Sequence, residues 1–210
     1  MTNGMNIFVR RCLIFMILFA PFAYILAQVV ALQMGDYEIL GPEPGKAITW
    51  FTGEWAFNIL LLTLAVSPVR SWFGWKWPMI HRRMLGLFVM FYATLHLFSY
   101  ITFLLAWEWG DIGSELVERP YLTLGFIAWV LLIPLSITST KGWQRRLKRR
   151  WKSIHKLIYL ITILCAVHYL LQIRSNWFDP SLYALITIVL LGQRFSWEKV
   201  KGVFARLPNA

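Results

Sequence analysis

Six long apolar stretches, at residues 12–33, 50–68, 84–107, 121–139, 153–173 and 181–196, are separated by polar punctuation and decide what this chain can become. At about 1.5 Å of rise per residue, stretches of this length are read as helices that cross roughly 30 Å of hydrocarbon. A backbone in lipid must satisfy its own hydrogen bonds, and no stretch shows the short alternation of barrel strands. With 58% apolar and only 15% charged residues, the surplus of apolar side chains exceeds what one water-soluble core of this size can hide. A soluble domain, a disordered chain and a disulfide scaffold are excluded. The expectation is an all-α integral membrane bundle of six transmembrane helices, forming a single domain over residues 1–210.

The formal charge of +11 would invite a nucleic-acid partner if the cations were not so unevenly placed. With the N-terminus inside, Arg10, Arg11, Arg70, Lys76, Arg82, Arg83, Lys141, Arg145, Arg146, Lys148, Arg149, Arg150, Lys152, Lys156, Arg194, Lys199, Lys201 and Arg206 fall on the cytoplasmic side, 18 of the 21. Lys46, Arg119 and Arg174 fall outside, and among the acids only Glu198 lies inside. This bias predicts both termini in the cytoplasm. No nucleic acid is needed to explain the basic run Lys141–Lys152, which becomes the loop between the fourth and fifth spans, with anionic lipid headgroups as a secondary contact. The first span resembles a signal peptide but exceeds the usual apolar length, so it reads as an uncleaved anchor. Trp residues cluster near the expected interfaces, the loops are short, and no internal repeat is evident.

Only four histidines occur: His81, His96, His155 and His168. An ionisable residue inside a membrane helix is expensive and marks a functional site by default. His96 and His168 lie at matching depth on two spans that run in the same direction, roughly 18–22 Å above the cytoplasmic boundary at about 1.5 Å per residue. Two neutral imidazoles at one level suit the axial positions of a haem, and filling both favours electron transfer over oxygen binding. The plainer alternative is a buried histidine that hydrogen-bonds a hydroxyl or a carbonyl.

His155, thirteen residues before His168, has the right rise for a second haem near the inner leaflet. On an ideal helix, however, it is turned by about 220° from the His168 face, so either a π-bulge intervenes or that haem approaches from another side. Its partner on the third span is open. His81 and Arg82 both fall near the His96 face, but His81 reads more simply as an interfacial residue of a polar loop. Arg82 and Arg83 suit headgroups or haem propionates better than iron.

Other signals are absent or weak. Cys12 and Cys165 lie at different depths with no CxxC spacing, and no dinucleotide, P-loop or HExxH motif appears. The segment after the sixth span is too short for a flavin or nicotinamide domain, so electrons are expected from a lipid-soluble carrier or a separate protein. Glu54, with Asn58 one turn on, is either a proton acceptor at a quinone site or a snorkelling carboxylate. The outer loops carry Asp36, Glu38, Glu43, Glu108, Asp111, Glu115 and Glu118. They form a docking face for a soluble subunit, or simply collect where Lys and Arg are excluded.

Arg82-Arg83-Met84-Leu85-Gly86-Leu87 and Tyr92-Ala93-Thr94-Leu95-His96-Leu97-Phe98-Ser99-Tyr100 on the third span resemble the MsrQ (formerly YedZ) family. So do Arg119-Pro120-Tyr121-Leu122-Thr123-Leu124-Gly125, Thr138-Ser139-Thr140, and Trp151 followed by His155 and His168, so that the resemblance spans nearly the whole chain. It implies a multi-pass protein of the bacterial inner membrane within the ferric-reductase-like transmembrane superfamily. By the same resemblance, a haem b subunit takes electrons from the quinone pool. It passes them to a periplasmic molybdenum-cofactor (molybdopterin-containing) subunit that reduces methionine sulfoxide in damaged envelope proteins.

The chain would then be a non-catalytic redox subunit. FMN and a cytosolic flavin reductase also come with the family, although no motif here places a flavin. His96, His155 and His168 match the family's haem histidines, and Arg82 takes the inner ligand position of the superfamily's four-histidine pattern, which leaves the haem count at one or two. Two other functions compete. One is a stand-alone ferric or superoxide-type reductase, which the missing dehydrogenase domain argues against. The other is a transporter relaying protons through histidines, which predicts a continuous polar line that the spans do not offer.

Overall fold

The computed structural model describes residues 2–172 and 177–204, with side chains over 7–172 and 177–193. Ile173, Arg174 and Arg206 lie outside the described residues, as do the side chains of Arg194, Trp197, Glu198, Lys199 and Lys201. All described secondary structure is helical. In chain order the helices are α1 (Thr2–Gln33), α2 (Pro44–Phe73), α3 (Trp77–Phe103), a single 3-10 turn (Trp109–Asp111), α4 (Ile112–Glu118), α5 (Pro120–Ile137), α6 (Lys141–Leu147), α7 (Arg149–His155), α8 (Leu157–Leu171) and α9 (Phe178–Phe204).

Five stretches among the described residues are long and apolar enough to cross a membrane: Ile7–Gln33, Pro44–Phe73, Trp77–Phe103, Pro120–Ile137 and Arg149–Leu171. The sixth expected span corresponds to the shorter apolar helix Phe178–Gln193. The protein is a multi-pass, all-α membrane protein. Only 17% of the most apolar window of α1 is buried, against 44% for α2, so α1 leaves most of its apolar surface to lipid.

The helices outrun the apolar stretches because hydropathy reports hydrocarbon thickness, whereas helix ends are set by backbone chemistry. α2 starts at Pro44, whose missing N–H costs nothing in a first turn, and stops before Gly74, whose φ of +69° suits a left-handed exit. α3 begins at Trp77, so His81 sits inside a helix and is buried, not in a polar loop. At its other end α3 stops at Phe103 and not at residue 107. There Ala106 and Trp107 take φ of +50° and +61°, a left-handed conformation disfavoured for side chains with a Cβ.

Two expected loops contain short helices instead. The 108–120 segment holds the 3-10 turn and α4, and the basic run folds into α6 and α7. Thr140 starts α6 by accepting the Trp143 backbone N–H on its hydroxyl at 3.3 Å, an end signal that a hydropathy reading passes over.

The chain forms two compact units. The first comprises residues 1–60 and 80–118 and is organised around Tyr92 of α3, which is fully buried. Pro21 removes a backbone donor from α1, and beside it the Tyr92 hydroxyl donates to the Leu18 carbonyl at 2.7 Å and accepts from the Phe22 N–H at 3.0 Å. Phe22, Phe88, Phe91 and Trp55 pack their rings around this contact at centroid separations of 5.3–6.5 Å. On the same unit Glu43 pairs with Lys46 at 2.9 Å, and Glu115 accepts from the Tyr100 hydroxyl at 3.0 Å. Two of the acids available for docking are therefore engaged within the fold.

The second unit comprises residues 61–79 and 119–210. Its core places Ala128, Leu132 and Leu135 of α5 with Ile158, Ile161, Thr162 and Ala166 of α8, while α9 packs against α8. The small Ala128 and Ala166 permit close helix approach, and the Thr162 hydroxyl satisfies itself on the Ile158 carbonyl at 2.7 Å.

Candidate functional site

His96 lies on α3 of the first unit with its ring half-buried. Its Nδ1 is 2.8 Å from the carbonyl oxygen of Thr49 on α2. A carbonyl can only accept, so Nδ1 carries the proton and the lone pair of the neutral ring resides on Nε2. The ring can reach a helix carbonyl because the residue one turn further along α2 is Gly53. A methyl group there would stand 2.8 Å from His96 Nδ1 and 2.9 Å from Cε1, well inside van der Waals contact. In a helix, residues four apart share a face, so Thr49 offers the acceptor and Gly53 the space beside it.

His168, half-buried on α8 of the second unit, is held in the same manner by α5. Its Nδ1 lies 2.6 Å from the Tyr121 carbonyl oxygen, and a methyl on Gly125 would come within 2.9 Å of both Nδ1 and Cε1. Again Nδ1 donates and Nε2 keeps the lone pair. Metal-bound imidazoles are commonly oriented by such a donation from the other ring nitrogen. Each unit therefore offers one imidazole, its tautomer set by a helix carbonyl, whose donor chemistry fits haem iron. Among the described residues no group of three or more His, Cys, Asp or Glu gathers to bind a metal ion through protein ligands alone.

His155 is placed differently. It ends α7, and Lys156 separates it from α8. The Lys156 N–H bonds the carbonyls of both Lys152 and Ser153 at 3.2 Å, and the Tyr159 N–H returns to Lys156 at 3.1 Å. This interruption is a tight three-residue closure and not the π-bulge weighed from sequence, and it removes the ideal-helix premise of the angular argument. The His155 ring packs against Trp151 with centroids 4.1 Å apart and planes tilted by 30°, and its Nε2 lies 3.2 Å from the Thr138 hydroxyl. That hydroxyl donates to the Pro134 carbonyl at 2.6 Å, so His155 Nε2–H donates to it, the opposite tautomer from His96 and His168. Trp151 Nε1–H completes the cluster by donating to the Thr138 carbonyl at 2.9 Å. Trp151→Phe, which removes this donor, is expected to lower stability in detergent by about 0.6 kcal/mol, the usual worth of a hydrogen bond within a membrane protein, as read by thermal unfolding.

Arg82 is half-buried near the start of α3 and Arg83 is exposed. Glu54, adjacent to Gly53, stands on the exposed side of α2. Sequence reasoning found the histidines and quoted Tyr121 and Gly125 within a family motif, but it gave them no role at His168 and passed over Thr49 and Gly53. A signal was present: Gly53 precedes His96 by 43 residues, and Gly125 precedes His168 by the same 43.

Comparison with known proteins adds to this geometry. A family model for the ferric reductase like transmembrane component matches residues 52–166, which takes in Gly53, His96, Gly125 and His155 and ends two residues before His168. The protein-methionine-sulfoxide reductase heme-binding subunit MsrQ of Xanthomonas oryzae pv. oryzae is 43% identical over 197 residues, covering 94% of this chain and 90% of the relative. The MsrQ subunits of Xanthomonas euvesicatoria pv. vesicatoria and of Rhodospirillum rubrum are 45% and 42% identical, over 87% and 74% of this chain and 84% and 75% of their own length. No solved structure matches the chain.

Proposed function

Since the chain belongs to the MsrQ family of haem-binding subunits, within the ferric-reductase-like transmembrane proteins, we propose that it carries electrons through the bacterial inner membrane for a methionine sulfoxide reductase. The observation that carries this reading is the pair of imidazoles whose Nδ1 protons are committed to helix carbonyls, Thr49 for His96 and Tyr121 for His168. Each ring then offers Nε2 as an axial nitrogen to haem iron. Haem b supplies one-electron redox chemistry when bound.

The protein's own residues hold two ring planes, set two tautomers and keep the surroundings apolar. Arg82 is assigned to a haem propionate, as a half-buried cation at the helix start. His155 is assigned to a second haem, in which case its Nε2 contact with Thr138 has to open. With the charge bias placing both termini in the cytoplasm, electrons enter from membrane quinol and leave to a periplasmic molybdenum-containing subunit that reduces methionine sulfoxide.

The purified protein is expected to give a reduced-minus-oxidised b-type spectrum, with haem at one or two per chain, and to be reduced by a quinol analogue. A colourless preparation that takes up no added haem refutes the reading. A haem protein that dithionite reduces but quinol does not would refute the donor assignment alone.

A further inference from the structure

The two histidine sites obey one spacing throughout. Thr49, Gly53 and His96 become Tyr121, Gly125 and His168 on adding 72 to each number, and the acceptor and imidazole stand 47 residues apart in both. The hairpin of α2 with α3 and the hairpin of α5 with α8 thus carry the same device at the same register. Ala56 and Ala128, Leu60 and Leu132, and Leu85 and Leu157 also coincide at this offset, while most other positions differ, so what is shared is the histidine device and not the sequence around it.

We propose that Gly53 and Gly125 are twin positioning residues of a duplicated histidine cradle, which fix each imidazole against a helix carbonyl and so set the orientation and basicity of both haem ligands. This rests on the ligand assignment made above. The effect of a side chain at either glycine is steric first. With a Cβ standing 2.8–2.9 Å from the ring, the imidazole must slide or rotate, and the Nδ1–H···O=C bond lengthens or breaks. It is electronic second. A ring that donates through Nδ1 is a stronger base at Nε2 and favours the ferric state, so breaking the bond lowers ligand basicity and raises the haem midpoint potential.

Glycines in a membrane helix are common, and an open one behaves oppositely. Beyond their own helix backbone and chain neighbours, Gly86 on α3 and Gly192 on α9 have no atom of the described residues within 4 Å of a would-be Cβ, so alanine there only improves helix propensity.

The test compares Gly53→Ala and Gly125→Ala with Gly86→Ala and Gly192→Ala in the haem-loaded protein. Each cradle variant is expected to weaken haem retention about tenfold, shift the low-spin EPR g-values, raise the midpoint potential and diminish the hyperfine coupling of the exchangeable imidazole Nδ1 proton. The two open-glycine variants should match wild type in all four readouts. Loss of haem in His96→Ala and His168→Ala, with wild-type g-values, potential and proton coupling in both cradle variants, would overturn the proposal while leaving the ligand assignment standing.

Retention of all haem in the two histidine variants would instead remove the ligand assignment itself. If a cradle variant fails to assemble, the double variants Gly53→Ala/His96→Ala and Gly125→Ala/His168→Ala decide the matter, because deleting the ring vacates the space. Recovery of a monodisperse helical protein supports the ring clash, and continued failure overturns it.

Discussion

His96→Ala or His168→Ala is expected to empty the haem that the ring serves, with retention falling at least 100-fold. Loss of an orienting partner alone costs about 10–100-fold in metal affinity, and on the proposed assignment these substitutions remove the ligand itself. Haem quantified per chain in the purified protein is the readout. If both nitrogens serve one iron, the two variants lose the same haem and give matching residual spectra. His155→Ala separates the two stoichiometries. On a chain with two haems the content falls by half, whereas on a chain with one it stays at the wild-type value. The contact of His155 with Trp151 at 4.1 Å gives that residue a packing role in either case, so thermal stability is measured alongside.

Tyr92→Ala is expected to be the most damaging substitution for folding, at about 3 kcal/mol. The side chain is fully buried among aromatic rings, and truncating such a residue leaves a cavity that rigid helices cannot close. Tyr92→Phe keeps the ring and loses only the hydroxyl. Leu18 and Phe22 are four residues apart, so their carbonyl and N–H can then bond each other directly, and the loss should stay near or below about 1 kcal/mol. Denaturant unfolding in detergent micelles followed by circular dichroism measures both. Equal losses would show that the hydroxyl wedge beside Pro21, and not ring packing, dominates.

The number and placement of the spans were readable because hydrocarbon imposes a minimum apolar length that few other folds require. His96 and His168 stood out for the related reason that an ionisable group is costly there. Helix ends were less readable. Pro44, Gly74 and Thr140 act through backbone caps over one or two residues, a scale that averaging over a span erases. The basic run Lys141–Lys152 looked like loop because its charges mask the short helix α6 and most of α7.

The cradle glycines were hidden for a different reason. Gly53 sits inside an apolar run where glycine is unremarkable, Gly125 was visible only as part of a family motif, and the meaning of each lies in a partner 43 residues away. Only the hairpin geometry brings each one under a ring. Tyr92 was quoted as part of a family motif, but its part in clamping α1 depends on Pro21, 71 residues earlier, which nothing local in either segment announces.

Each imidazole finds its carbonyl and its glycine wholly within its own compact unit, His96 in the first and His168 in the second. The orientation of each ring is therefore set by contacts inside one hairpin. During biogenesis each half can settle its own ring as soon as its two helices have met, without waiting for the other half.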